Sequence, residues 1–210
     1  MIPFEPMWVQ VRRLLRPHSV FVTTASQPFT SMLVMSNSKW FRYELIWHKT
    51  KPSGYLDANR RPLRAHENIL VFSARQTIYH PQFWQDKPYK KKRQRHTTAI
   101  QYHQHKRNLV TDSPDGKRYP TSAIEFSNGN YNSQHPTQKP VALCEYLIKT
   151  YTNEGDTILD FCMGSGTIGV ACVQTGRNFI GIEIMPEYFE IAQRRIEEAQ
   201  RQLRLPIRLG

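Results

Sequence analysis

Two acidic residues and a group of glycines in the last third of the chain have the residue types and spacing of a site for a nucleoside-containing cofactor. Asp160 ends an apolar run, Gly164, Gly166 and Gly169 follow it, and Glu183 lies further along. Glycines allow the backbone to pass close to a ligand at a helix N-terminus, and an acid at the end of the next strand can bind a ribose diol.

The elements that must position these residues form one β-α-β unit. Thr157–Phe161 and Phe179–Ile184 are short apolar runs typical of strands. Between them, Gly164–Gly166 predicts a turn, and Thr167–Thr175 predicts a helix that Gly176 ends. Asp160 and Glu183 would then lie at the same edge of a parallel pair of strands.

The spacing of the glycines and of Glu183 also satisfies the fingerprint of a dinucleotide site, so NAD is an alternative. Asp160 favours another cofactor, because an acid four residues before the first glycine would repel a pyrophosphate but attract the ammonium of an amino acid. S-adenosylmethionine carries such an ammonium. We therefore expect S-adenosylmethionine rather than NAD.

The positive charge of the chain is concentrated in one segment. The 210 residues include 29 Lys and Arg and 17 Asp and Glu, for a net charge of +12. Eleven basic and three acidic residues lie between Arg75 and Arg118, whereas residues 119–210 contain eight basic and ten acidic ones. This distribution is typical of a polyanion-binding insert on a near-neutral catalytic scaffold.

Aromatic residues such as Trp84 and Tyr89 are interleaved with these bases, which suits contacts to phosphates and stacking on nucleic-acid bases. The alternative is a disordered basic linker. A second basic stretch, Lys49–Glu67, is either a solvated loop or the lining of a nucleic-acid cleft. The candidate DNA-binding residues are Lys90, Lys91, Lys92, Arg93, Arg95, Lys106 and Arg107.

The remaining patterns predict an α/β fold. They indicate helices at Phe4–Arg16, Met32–Ser38, Val141–Tyr151 and from Pro186 onward, and strands at Val20–Ala25, Tyr43–His48 and Ile69–Ser73. No apolar run approaches the roughly 20 residues that span a bilayer, so we expect no membrane span. Cys144, Cys162 and Cys172 lack metal-ligand spacing, which predicts buried thiols in a reducing cytosol and no metal.

Three motifs near the C-terminal end resemble, in sequence and in order, those of the β-group of site-specific DNA amino-methyltransferases, the adenine-N6 and cytosine-N4 enzymes. They are HPTQKP at 135–140, GDTILDFCMGSGT at 155–167 and FIGIE at 179–183. The resemblance implies a Rossmann-like S-adenosylmethionine-dependent methyltransferase fold of prokaryotic or phage origin, acting on double-stranded DNA. Residues 1–74 would form its catalytic side, 75–130 a basic target-recognition insert, and 131–210 the cofactor-binding part.

The resemblance also implies roles for single residues. Glu183 would bind the ribose of the donor, and residues of the strand end and the glycine turn would hold its methionine and adenosyl parts: Asp160, Phe161, Gly164, Ser165, Gly166 and Thr167. His135, Thr137 and Lys139 would lie beside the methionine moiety. In this family an exocyclic amine of a flipped base attacks the sulfonium methyl in line, and the general pattern here favours adenine N6 over cytosine N4.

One family motif has no counterpart in the sequence. The family's Asp-Pro-Pro-Tyr loop, which contacts the target amine and base, is matched only by Asp112-Ser113-Pro114-Asp115, which lacks the aromatic residue. We therefore assign no catalytic residue and expect strands on both sides of a missing sheet centre. The expectation is an N-terminally truncated enzyme that is inactive alone, and the alternatives are one half of a split enzyme whose second chain supplies the loop, or a non-catalytic DNA- or donor-binding remnant.

Overall fold

The computed structural model describes residues 3–90, 113–129 and 138–204, and the chain divides into two compact units. The larger unit consists of Met1–His80 with Thr121–Gly210, and the smaller unit is Pro81–Pro120. The smaller unit is narrower at both ends than the 75–130 insert that the sequence predicts. None of the helices in the described ranges is long and apolar enough to cross a membrane.

A four-stranded sheet forms one part of the larger unit. Its strands are β1 (Phe21–Ala25), β2 (Phe41–Ser53), β3 (Arg64–Phe72) and β6 (Ala123–Phe126), in the spatial order β1-β3-β2-β6. β3 runs antiparallel to both β1 and β2, and β6 runs parallel to β2 with Trp47 opposite Ile124. The two faces of β3 bury alternate residues in different cores, as the two-residue period of a strand requires.

On one face, α1 (Phe4–Leu14) and α2 (Phe29–Ser36) pack against the sheet. Trp8 is at the centre of this core, with its ring 5.0 Å from that of Phe72 and its Nε1 donating to Ser36 Oγ at 2.8 Å. On the opposite face, Leu143 of α3 (Val141–Tyr151) packs with Trp47 and Ile69. The four-stranded sheet is therefore covered by helices on both faces.

A second, two-stranded parallel sheet carries the candidate cofactor residues. It consists of β7 (Thr157–Asp160) and β8 (Asn178–Gly181), which are connected by α4 (Thr167–Thr175). Cys144 of α3 and Cys172 of α4 lie in the core beneath this sheet with Ile158 and Phe179. The last helix, α5 (Pro186–Arg204), lies against α4, so that a Cβ on Gly169 would come within 2.4 Å of Ile196 Cδ1.

The two sheets remain separate in the described part of the chain. There, β1 pairs with β3 alone and β7 pairs with β8 alone. The ring of Phe21, at the start of β1, stacks on that of Phe161, just after β7, with a centroid separation of 6.2 Å and an interplanar angle of 13°. The strands thus lie in two groups whose facing edges are unpaired among the described residues, as the family resemblance implies.

The predicted helices and strands are present, but several bounds differ. α2 is Phe29–Ser36 rather than Met32–Ser38, β3 begins at Arg64 rather than Ile69, and β8 ends at Gly181, so that Glu183 follows the strand instead of ending it. The predicted loop Lys49–Glu67 is wrong at both ends, because its first residues belong to β2 and its last to β3.

α3 and α4 have the predicted bounds, but β2 is longer than expected because it pairs along most of β3. β6 was not predicted, since its residues were assigned to the irregular basic segment. The prediction that all three cysteines are buried is wrong for Cys162, which is exposed because it follows β7 at the open edge of the glycine turn.

Candidate functional site

The two predicted acids converge at the carboxyl ends of β7 and β8. Asp160 is the last residue of β7 and pairs in register with Gly181, two residues before Glu183. Glu183 Oε2 accepts a hydrogen bond from the Gly164 amide at 2.8 Å, and its Oε1 accepts from the amides of Ile184 and Met185 at 2.9 and 3.0 Å. The carboxylate of Glu183 is therefore fixed directly beside the glycine turn.

Asp160 has an unfavourable environment for its negative charge. Burial raises the pKa of Asp160 above its ordinary value, the nearby charge of Glu183 raises it further, and only the hydrogen bond from the Cys162 amide, at 3.1 Å, lowers it. A cation beside Asp160 would offset this cost of ionising its carboxyl group. The electrostatics of this edge therefore favour a positively charged ligand group.

The glycine turn itself is buried and held from two sides. Ser165 and Thr167 are 3% and 6% exposed. Ser165 Oγ donates to Gln138 Oε1 at 3.1 Å, and Arg195 Nη1 donates to the backbone oxygen and the Oγ of Ser165 and to Thr167 Oγ1. The sequence analysis assigned no role to Gln138 or Arg195. For Arg195 a signal was available, because a charged residue on the apolar face of α5, beside Ala192 and Ile196, requires a polar partner in the core.

Lys139 lies against the four-stranded sheet. Its ammonium is 3.0 Å from Glu67 Oε2 and 5.9 Å from the centre of the Trp47 ring, and Glu67 Oε1 also accepts from the buried Lys49. Glu67 was given no role from the sequence. His135 and Thr137, which the resemblance places beside the methionine moiety, lie outside the described residues.

The smaller unit carries the described part of the candidate nucleic-acid surface. β4 (Trp84–Gln85) and β5 (Lys117–Arg118) form a short antiparallel pair, and the Arg118 guanidinium lies 4.3 Å from the Tyr89 ring centre. Trp84 is 50% exposed, and Lys90 is also exposed. The other predicted DNA-binding residues fall outside the described ranges: Lys91, Lys92, Arg93, Arg95, Lys106 and Arg107.

Comparison with known proteins identifies the family. Residues 3–194 match the DNA methylase family. The chain belongs to this family. The chain is 30% identical over 201 residues to the Type II methyltransferase M2.DpnII of Streptococcus pneumoniae, with 92% of the chain aligned to 66% of that protein. It is 29% identical to M.HpaI of Haemophilus parainfluenzae, where 93% of the chain aligns with 59% of the relative. The chain thus spans about three fifths to two thirds of the length of these relatives.

The fold of this chain is similar to that of a solved structure. The structure of the M1.HpyAVI–SAM complex superposes with a TM-score of 0.60 at 28% identity, covering 90% of this chain and 80% of that one. The predicted resemblance and the α/β methyltransferase fold are therefore confirmed. The family match also decides against the dinucleotide-binding alternative that the glycine spacing had left open.

Proposed function

We propose that this chain binds S-adenosylmethionine at the carboxyl ends of β7 and β8 and acts in methylation of an exocyclic amino group of a DNA base. The observation that carries the proposal is that Asp160 and Glu183 lie at one sheet edge beside a buried glycine turn, where Glu183 accepts a hydrogen bond from the Gly164 amide. The family match and the S-adenosylmethionine complex of the similar structure support the same cofactor.

Each side chain has a distinct role in this proposal. Asp160 accepts hydrogen bonds from the ammonium of the donor, and Glu183 accepts them from the ribose hydroxyls. Phe161 and the turn from Gly164 to Thr167 shape the space around the methionine and adenosyl parts. His135, Thr137 and Lys139 are proposed to lie on the methionine side. Together, these residues bind and orient the donor so that its methyl group faces the amine.

In the reaction, the amine nitrogen forms a bond to the methyl carbon while the carbon–sulfur bond breaks. S-adenosylhomocysteine leaves with the electron pair of the broken carbon–sulfur bond, and the amine loses a proton. No residue of this sequence is assigned to receive that proton, since the Asp-Pro-Pro-Tyr motif has no full counterpart. Adenine N6 remains the predicted acceptor, and the Type II names of the two relatives support a role in restriction-modification in a prokaryotic cell.

Donor binding is expected to weaken as the pH falls through the pKa of Asp160, because protonation removes the charge that faces the donor ammonium. Burial holds this pKa above its ordinary value, so the weakening should begin at a higher pH than an exposed aspartate would give. Calorimetric titration with S-adenosylmethionine over about pH 8 to pH 4 measures the profile. Asp160→Asn should bind about 10- to 100-fold more weakly and show a flatter profile.

The stability of the unliganded protein provides a control of opposite sign. A carboxyl whose pKa is raised by folding binds its proton more tightly in the folded state, so its contribution to stability falls as the pH rises through that pKa. Asp160→Asn should therefore raise the Tm at neutral pH while it weakens donor binding. Glu198→Gln, at an exposed acid in the middle of α5, should change neither property. Full donor affinity in Asp160→Asn would contradict the proposed site.

DNA is proposed to bind the basic smaller unit. If several of its lysines and arginines contact phosphates, the logarithm of the binding constant should fall linearly with the logarithm of salt concentration, with a slope of about −0.9 per contact. Fluorescence anisotropy with a duplex oligonucleotide measures this slope. Lys90→Gln should reduce the magnitude of this slope by about 0.9, which is the contribution of one phosphate contact. Lys149→Gln, at an exposed base on α3, is the matched control, and a flat salt response would contradict a DNA-binding surface.

A second candidate function is donor and DNA binding without methyl transfer. The absence of a full Asp-Pro-Pro-Tyr motif from the sequence favours it. Incubation of the chain with methyl-labelled donor and duplex DNA separates the two candidates. Labelled methyl groups on the DNA would support the enzyme. Binding of the donor without transfer of its methyl group to the DNA would support the binding protein.

A further inference from the structure

The glycine turn before α4 rests directly on helix α5. Gly166 lies so close to this helix that a Cβ added to it would be 2.7 Å from the Ala192 Cβ and 2.9 Å from the Ala192 Cα. Ala192 is fully buried at this contact. Arg195 lies three residues further along α5, on the same face, because residues three and four apart on a helix are neighbours. The side chain of Arg195 is therefore placed behind the turn.

The guanidinium of Arg195 bonds the turn at two residues. Its Nη1 donates to the backbone oxygen of Ser165, to Ser165 Oγ at 3.0 Å and to Thr167 Oγ1 at 3.4 Å. Burial of Arg195 lowers the pKa of its guanidinium, but arginine stays protonated at neutral pH. Hydrogen bonds from a charged donor are stronger than neutral ones, so these contacts restrain the turn more than a neutral side chain would.

The hydrogen bond to Ser165 Oγ also sets the direction of a second one. A guanidinium can only donate, so Ser165 Oγ accepts from Arg195, and the serine hydroxyl is left to donate elsewhere. It donates to Gln138 Oε1 at 3.1 Å. Gln138 belongs to the HPTQKP motif and lies three residues before Val141, the first residue of α3. A directed chain of hydrogen bonds thus runs from α5 through the glycine turn to this motif.

We propose that Arg195 is a positioning residue for donor binding. It holds the glycine turn and, through Ser165, the Gln138 segment in the arrangement that receives S-adenosylmethionine, without touching the donor. This inference rests on the proposed function, and it adds a residue on α5 to a site that is otherwise built from β7, β8 and the segment before α3.

The test compares Arg195→Met, Arg195→Lys and the control Arg194→Met, which changes an exposed arginine of the same helix. Calorimetric titration with S-adenosylmethionine, well below the Tm of each variant, should show about 10- to 100-fold weaker binding for Arg195→Met and an intermediate loss for Arg195→Lys. Arg194→Met should bind as the wild type does. The midpoint of the pH profile should be unchanged in Arg195→Met, because Asp160 still faces the donor.

Wild-type affinity in folded Arg195→Met would overturn the inference, since a purely structural arginine would lower the Tm alone. If Arg195→Met does not fold, Gln138→Leu removes the acceptor of the Ser165 hydroxyl while it leaves the donor-binding turn and its contacts with Arg195 in place. Donor binding should then weaken by about 5- to 10-fold, and unchanged affinity would overturn the inference. Failure of the wild type itself to bind the donor would instead overturn the proposed function, and the inference with it.

Discussion

Gly166→Ala is expected to lower the free energy of unfolding by about 2–5 kcal/mol and to abolish donor binding. Gly166 has a φ of 74°, in the left-handed region that side chains disfavour. A Cβ there would also be 2.9 Å from the Cα of Ala192, which is backbone and cannot rotate away. Alanine would therefore push the glycine turn and α5 apart. Chemical denaturation and calorimetric donor titration measure the two effects.

Gly155→Ala is the matched control for this prediction. Gly155 has a φ of 80°, but a Cβ at Gly155 would have no neighbour within 4 Å. Alanine at this position should cost only the energy of placing a side chain in the left-handed region, roughly 1–2 kcal/mol, and should leave donor affinity intact. Equal losses in the two variants would show that contact between the turn and α5 contributes nothing, which would contradict the described packing.

Glu67→Ala is expected to cost about 3 kcal/mol of stability, because it removes the carboxylate shared by two lysines. The Lys49 side chain is 6% exposed, and its ammonium lies 3.4 Å from Glu67, while that of Lys139 lies 3.0 Å from the same carboxylate. Without Glu67, a buried ammonium would lose its counterion and face a second positive charge. Denaturant unfolding of the variant measures the loss.

Two further variants separate this loss from a general effect of removing an acid. Glu145 pairs with Lys149 on the surface of α3, so Glu145→Ala should cost no more than about 0.5 kcal/mol. Combining Glu67→Leu with Lys49→Met replaces the buried pair by apolar groups and should recover the part of the loss that Lys49 causes, while the partly exposed Lys139 still loses its contact with Glu67. A loss in Glu67→Ala as small as that in Glu145→Ala would contradict the importance of the ion pair.

Local signals in the sequence were sufficient for the β-α-β unit. The helices α3 and α4 begin and end where predicted because Pro140 precedes the first and Gly176 follows the second. The sequence also placed Asp160 and Glu183 at one sheet edge, because each follows a strand of the predicted unit and the carboxyl ends of parallel strands lie at the same edge. Short-range rules of capping, turns and strand direction decide these features.

Features that depend on distant partners could not be predicted in this way. β6 has only four residues, and it is a strand because it pairs with β2, where Trp47 Nε1 donates to the backbone oxygen of Phe126 at 2.9 Å. The contacts of Arg195 with Ser165 and of Glu67 with Lys139 join segments 30 and 72 residues apart. No spacing rule reports such pairs, because they form only when the sheets and helices are packed.

Titration of the wild-type chain with S-adenosylmethionine tests the central claim most directly. The account predicts saturable binding of one donor molecule per chain, with displacement by S-adenosylhomocysteine and no displacement by NAD. Absence of saturable binding by the folded chain, or displacement of the donor by NAD, would contradict the assignment of the β7–β8 edge as a methyl-donor site.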